Sequence, residues 1–273
     1  MHKNRVEMRL NMNLGIQGKK ALIIGASKGI GKGIALAFAE ERARLVIVAR
    51  TEELLQKVSY EAIRLGAEEC HYEAADIMNS ETTALAEQLI KKYGSFDIVV
   101  HNVGTSLISR EYLNGKKDWL YALELNAVAA IDMNSVLIPP MIEKGWGRVI
   151  HISSISGVML RGNPLYASSK AFLNAYVTSV GRQLASKGIV MSSVMPGAVA
   201  FENSYWDLKQ KDDRKPEDGS KSGREICEDF LWHHQAINRF GAPEEVANAV
   251  LFMASEKASF MPAANISVDG ANM

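Results

Sequence analysis

Several features are scarce or missing in this chain, and each absence removes a class of function. Charge of one sign has no excess: 31 Lys and Arg stand against 31 Asp and Glu in 273 residues. No long basic run or basic-aromatic stripe appears, so nothing invites a nucleic acid or another polyanion. Long apolar runs are missing as well. Runs such as LVIVA and IVV fall far short of the roughly 20 residues that cross a bilayer. The opening MHKNRVEMRLNMNL lacks the apolar segment and cleavage site of a secretory signal, and a cytoplasmic protein is expected. There are only two cysteines, Cys70 and Cys227, far apart and without metal-type spacing; reduced structural thiols are expected, with neither a bridge nor a metal site. No internal repeat and no second-domain boundary can be read.

What the chain does have is a 47% hydrophobic content, enough for a sizeable core. From Lys20 onward short β-branched runs alternate with longer amphipathic stretches: ALIIG, GIGKGIALAFAEE, RLVIVA, TEELLQKVSYEAIRLG, ECHYEA, SETTALAEQLIKKYG, DIVVHN. The rhythm continues through a helical region over about 118–141, RVIHIS, a helix over about 164–186, and IVMSSVM. Apolar strands that do not alternate suit a parallel sheet covered on both faces, with helices as crossovers. The predicted fold is α/β: a doubly wound parallel sheet in three α/β/α layers.

Two segments stand outside this rhythm. Residues 1–18 are polar, contain methionines including Met12, and show no strand pattern, which predicts a mobile or surface-bound arm ahead of one domain over 19–273. Residues 206–225 carry six acids and six bases with Pro216 and two glycines. They read as an exposed excursion within a substrate loop over about 198–238, followed by the helix EICEDFLWHHQAINRF. His233 and His234 in that helix face different directions and make poor joint metal ligands; with Phe230, Leu231 and Trp232 they suit a lid or a plain amphipathic helix.

The first strand meets the first helix through LIIGASKGIGKGI, where Gly25, Gly29 and Gly31 follow a G-x-x-x-G-x-G spacing. Glycines here meet three demands: a sharp turn, backbone close to a pyrophosphate, and tight packing of the helix. The phosphates would lie at the helix N-terminus, where free N–H groups favour anions. At the end of the second strand, where an NAD site usually has an acid for the ribose, stand Ala49 and Arg50. Arg50 and Lys28 together favour the 2′-phosphate of NADP(H).

In LYASSK, Tyr166 and Lys170 lie four apart on one helix face. A phenol with a pKa of about 10 becomes a usable acid or base when a cation favours its phenolate. Taken alone, such a pair is a frequent accident of any long helix.

It does not stand alone. GASKGIG, HNVG at 101–104, LNA around Asn126, ISSISG at 152–157, YASSK and PG at 196–197 occur in this order, and in them the chain resembles the short-chain dehydrogenases/reductases built on one Rossmann domain. The match runs from about Lys19 to the C-terminus. The resemblance implies that Tyr166 gives a proton to a substrate carbonyl, that Lys170 lowers its pKa and holds the nicotinamide ribose, and that Ser154 hydrogen-bonds the carbonyl oxygen. It implies too that Asn126 sits at a helix irregularity which holds a water in a proton relay. Ser154 heads S-x-x-G, yet Ser153 stands at the commoner distance before the tyrosine, and both stay open. The implied cofactor contacts begin with Gly25, Ser27, Lys28, Gly29, Ile30 and Gly31 and continue through Arg50, Asp76 and Ile77. They end with Asn102, Gly104, Pro196, Gly197 and Val199, beside Tyr166 and Lys170. For Asp76, a capping or loop acid is the competing reading.

Departures from the family pattern are His101 and Val103, in place of asparagine and alanine, and Phe201, where many members have a threonine near the carboxamide. The implied function is hydride transfer between NADP(H) and a ketone or secondary alcohol, with a 3-oxoacyl-thioester reductase as the alternative. A non-catalytic NADP-binding regulator is the alternative of another class. The resemblance also implies a homo-oligomer, commonly a tetramer, joined through the two long helices with Phe172 and Tyr176 on their apolar faces.

Overall fold

The computed structural model describes residues 13–78, 80–106, 111–216 and 219–272. In chain order the elements are β1 (Lys20–Ile24), α1 (Gly29–Glu40), β2 (Arg44–Ala49), α2 (Glu52–Leu65), β3 (Glu69–Ala74), α3 (Thr82–Tyr93) and β4 (Ile98–His101). There follow α4 (Lys116–Leu123), α5 (Ala129–Leu137), α6 (Pro139–Lys144), β5 (Gly147–Ile152), α7 (Ser156–Met159), α8 (Pro164–Ala185) and β6 (Ile189–Pro196). The chain closes with α9 (Tyr205–Gln210), α10 (Gly223–His234), α11 (Pro243–Ala254) and β7 (Asn265–Val268).

The strands form one parallel sheet in the order β3-β2-β1-β4-β5-β6-β7. Its central strands β1, β4 and β5 are buried almost throughout, as continuous apolar runs require when helices cover both faces. One core packs Ile23, Leu45, Ile98 and Ile150 against Phe38 of α1, Leu55 of α2 and Val250 of α11. The other packs Leu22, Val46, Val99 and Val149 against Leu89 of α3, Met133 of α5 and Val177 of α8. The doubly wound three-layer fold is thus present, and the chain reverses direction across the sheet between β1 and β4, the crevice where such folds bind ligands.

Two expectations meet a different structure. Of the expected arm, residues 1–12 lie outside the described residues; within 13–18, Ile16 is buried in the core and the carbonyl of Leu14 accepts from the Glu256 N–H at 3.0 Å. The helix expected over about 118–141 is broken. A π-helical turn over Glu124–Val128 separates α4 from α5, and α6 restarts at Pro139. The Asn126 side chain explains the π-turn: its amide donates to the carbonyl of Ala122 at 3.0 Å and competes with the backbone ladder at that point.

Candidate active site

The glycine turn leaves the carboxyl end of β1. Gly25 has φ +87°, in the left-handed region that favours glycine, and a β-carbon on Gly31 would collide with the carbonyl of Gly25. Asn102, at the end of β4, donates from Nδ2 to that same carbonyl at 3.0 Å, fixing the turn to the neighbouring strand. No side chain caps α1, so its first-turn N–H groups face the crevice. Arg50 and Lys28 are exposed and make no ion pair among the described residues. A glycine bend, an uncapped helix start and two free cations fit a phosphorylated dinucleotide.

The remaining implied contacts line the same edge. Asp76 accepts from the N–H of Met78 at 3.0 Å and shapes its own turn, while Ile77 is buried beside it. Ser27 and Ile30 are half-buried in the turn. Beyond β6, the carbonyl of Pro196 accepts from the N–H of Ile155 at 3.2 Å, and Gly197 donates to Val268 at 3.1 Å. Val199 bridges to Gly241.

Four side chains converge where β4 and β5 end. Asn126 accepts at Oδ1 from the N–H of Thr105, 2.9 Å away, and a β-carbon on Gly104 would stand 2.6 Å from that oxygen and 3.1 Å from Lys170 Nζ. Lys170, buried on α8, donates to the carbonyl of Ile152 at 2.9 Å. The serines separate by surroundings: Ser153 donates to the backbone carbonyl of Lys170 at 3.4 Å, whereas Ser154 accepts from the N–H of Ser156 at 3.1 Å and acts on the phenol of Tyr166. Asn163 caps α8 by accepting from the N–H of Tyr166 at 3.2 Å, and Pro164 at the first turn suits a helix start. These residues set the direction in which Tyr166 and Lys170 project.

The electrostatics differ from the simple expectation. Burial pushes the Tyr166 phenol up from its ordinary value, and the neighbouring Ser154 works against it. Burial also pushes the Lys170 ammonium down to about 7. The lysine therefore does not hold the phenol down here; its proton is itself weakly held, because its hydrogen bond goes to a neutral backbone carbonyl.

Behind this set lies a polar cluster that sequence reasoning missed. His101 Nε2 lies 2.9 Å from Asn134 Oδ1, and Asn134 Nδ2 reaches His151 Nε2 at 3.1 Å and the Tyr176 hydroxyl at 3.2 Å. The two imidazoles stack with centres 4.8 Å apart. His151 Nδ1 has no partner among the described residues. Burial pushes His101 down to about 4 and His151 well below its ordinary value. The signal was present in HNVG and RVIHIS, two strand-end histidines on adjacent strands whose register pairs them.

Above the crevice, Trp206 of α9 packs on Phe230 of α10 and on Phe240, with ring centres 4.4 and 4.9 Å apart. The charges of this excursion pair among themselves: Asp207 with Lys211, Asp213 with Arg224, Glu225 with Lys215 and Asp229 with Lys221. His233 lies 3.6 Å from Asp229 and His234 meets Phe230 at a tilt; no group of three or more metal-ligating side chains occurs among the described residues. Cys70 and Cys227 are both free. A groove of about 500 Å³ along α8, lined by Asn174, Thr178, Arg182 and Asn265, lies apart from the converging residues, so chemistry and not depth marks the site. No described helix is long and apolar enough to cross a membrane.

Residues 25–271 match the sequence family described as enoyl-(acyl carrier protein) reductase. The chain is similar to the 3-oxoacyl-[acyl-carrier-protein] reductase FabG of Thermotoga maritima, 28% identical over 258 residues, which span 93% of this chain and 98% of the relative. Among solved structures, L-sorbose reductase from Gluconobacter frateurii, complexed with NADPH and L-sorbose, aligns with TM-score 0.85 at 29% identity, over 95% of this chain and 98% of that one. A 7α-hydroxysteroid dehydrogenase complexed with NADH and 7-oxo glycochenodeoxycholic acid aligns with TM-score 0.81 at 31% identity, over 96% of each chain.

Proposed function

The chain belongs to the short-chain dehydrogenase/reductase family, and from that premise we propose that it is an NADP(H)-dependent oxidoreductase that interconverts a ketone and a secondary alcohol on Tyr166, Ser154, Lys170 and Asn126. The observation that carries this reading is the convergence of Tyr166, Ser154, Lys170 and Asn126 where β4 and β5 end, with Ser154 near enough to the phenol to favour its ionised form. It sets two hydroxyl groups side by side at the carboxyl edge of β5, within the crevice opened by the glycine turn.

A carbonyl oxygen entering between those hydroxyls meets two preplaced donors. A nicotinamide held in this crevice would supply the hydride to the carbonyl carbon. As charge grows on the oxygen, Ser154 holds it and Tyr166 hands over its proton. A phenol kept protonated by burial is suited to that direction. Lys170 stands behind it with a loosely held proton, beside the π-turn of Asn126, and can restore what Tyr166 gives up. Arg50 and Lys28 would hold the 2′-phosphate, while Gly25, Gly29 and Gly31 would admit the pyrophosphate. Asp76, Ile77, Asn102 and Gly104 line the adenosine and ribose side, and Pro196, Gly197 and Val199 the nicotinamide side. The protein is read as a single catalytic domain, cytoplasmic, and assembled as a homo-oligomer. A 3-oxoacyl-thioester reductase is the second reading, supported by the full-length similarity to such an enzyme.

The test follows NADPH absorbance across a panel of ketones, ketoses and 3-oxoacyl thioesters. Turnover should fall by about 10²–10⁴ in Tyr166→Phe. NADPH binding without turnover on any panel member, unchanged by that substitution, would favour a regulator that keeps the fold and has lost the reaction.

A further inference from the structure

Phe201 follows the PGAVA run that leaves β6, and its ring lies directly on the glycine turn. A β-carbon built on Gly29 would stand 2.6 Å from Cζ and 2.8 Å from Cε1 and Cε2 of that ring. Atoms in contact do not come so close, so the ring fills the space a side chain at position 29 would take. Gly29 is the first residue of α1, whose N–H groups no side chain caps. An aromatic edge offers those donors no acceptor, and a phosphate seeking them needs the volume the ring fills.

The ring is also tied to the segment above the crevice. Ser204 donates its N–H to the carbonyl of Phe201 at 2.8 Å, and Phe201 donates its own N–H to Ser204 Oγ at 3.0 Å. The same oxygen caps α9 by accepting from the N–H of Asp207 at 3.2 Å. Displacing Phe201 therefore pulls on the first turn of α9, which carries Tyr205 and Trp206.

We propose that Phe201 is a latch on the pyrophosphate seat: its ring covers the start of α1 until a dinucleotide displaces it. This rests on the dinucleotide reading above. A ligand that must first open a closed state binds more weakly by the fraction of molecules already open. A latch shut in nine molecules of ten hides about tenfold of the intrinsic affinity. Trimming the ring releases that affinity and acts on association, because the obstacle stands before binding.

Stopped-flow NADPH fluorescence on the wild type, Phe201→Ala and Phe201→Leu tests this without any turnover. Phe201→Leu keeps an apolar side chain in the half-buried position and guards against misfolding of the smaller variant. The expected result is a Kd about five- to tenfold lower in Phe201→Ala, through faster association, with a smaller gain in the same direction for Phe201→Leu. Equal or weaker binding in both variants, or faster dissociation such as a ring clamped on bound cofactor would give, overturns the latch and leaves the dinucleotide reading intact. Absence of NADPH binding in all three proteins overturns both together.

Discussion

The ammonium of Lys170 lies 5.7 Å from the ring centre of Tyr166, yet its hydrogen bond goes to the backbone carbonyl of Ile152, 2.9 Å away. Burial acts on the two groups in opposite senses: it makes the phenol reluctant to lose a proton and the ammonium reluctant to keep one. The pair is thus costly to the fold and useful to the chemistry.

The cost is measurable. The buried Lys170 is pushed down to about 7 from 10.5, so between these values the unfolded chain binds more protons than the folded one. Its burden on stability is full below pH 7 and fades as pH rises toward 10.5. Lys170→Met removes a buried charge with one backbone partner and should raise Tm at pH 6 by about 2–4 °C while abolishing turnover. A lower Tm in a scanning calorimeter would contradict this.

The pH profile of the reaction follows from the same pair. With Lys170 near 7 in the free protein, kcat/KM for reduction should fall as pH rises past about 7, since kcat/KM reports groups of the free enzyme. Lys170→Arg, whose guanidinium stays charged, should lower the plateau and move the falling limb to higher pH. A limb at the same pH in both proteins assigns it to another group.

His101 makes the fold sensitive to acid. Its folded value of about 4 lies below the ordinary 6.5, so the stability that neutral His101 contributes is complete above pH 6.5 and is lost as pH falls toward 4. The shift amounts to about 3 kcal/mol. About 2 of those 3 kcal/mol are lost between pH 7 and pH 5, so Tm should drop by roughly 4 °C, while His101 and Lys170 oppose a proton on His151 in the same cluster. His101→Gln, which can still donate to Asn134, should flatten that decline, and an unchanged slope would point elsewhere.

Cofactor choice hangs on Arg50. Arg50→Ala should raise the KM for NADPH about tenfold and leave that for NADH within about twofold, because only the former loses a phosphate partner. Isothermal titration with both dinucleotides reads the same difference. An equal loss for both would mean that Arg50 supports the turn and does not select.

The layered sheet was legible because its signal is distributed: each apolar run from ALIIG to IVMSSVM is a strand, and β-branched runs between amphipathic stretches admit few other folds. β7 escaped notice because NISV is short and only half-buried. The irregularity at Asn126 was implied by the resemblance alone, because no sequence period marks a π-turn; the turn over Glu124–Val128 comes from one asparagine amide finding Ala122 and the 105 backbone. Tyr166 and Lys170 became legible only through the ordered motifs around them, and the sign of the burial effect on each did not, since it depends on what surrounds them. Phe201 read as a lost contact. That its ring rests on Gly29 is a pairing across 172 positions that no local pattern encodes.

The amide that Asn102 extends to the carbonyl of Gly25 also bears on the thermodynamics of ligand capture. A bend already stapled to the adjacent strand has surrendered its conformational entropy during folding, so an incoming dinucleotide need not order it and loses chiefly its own tumbling freedom. Loosening that staple with Asn102→Ala would transfer the ordering cost to the moment of association and make capture less favourable entropically.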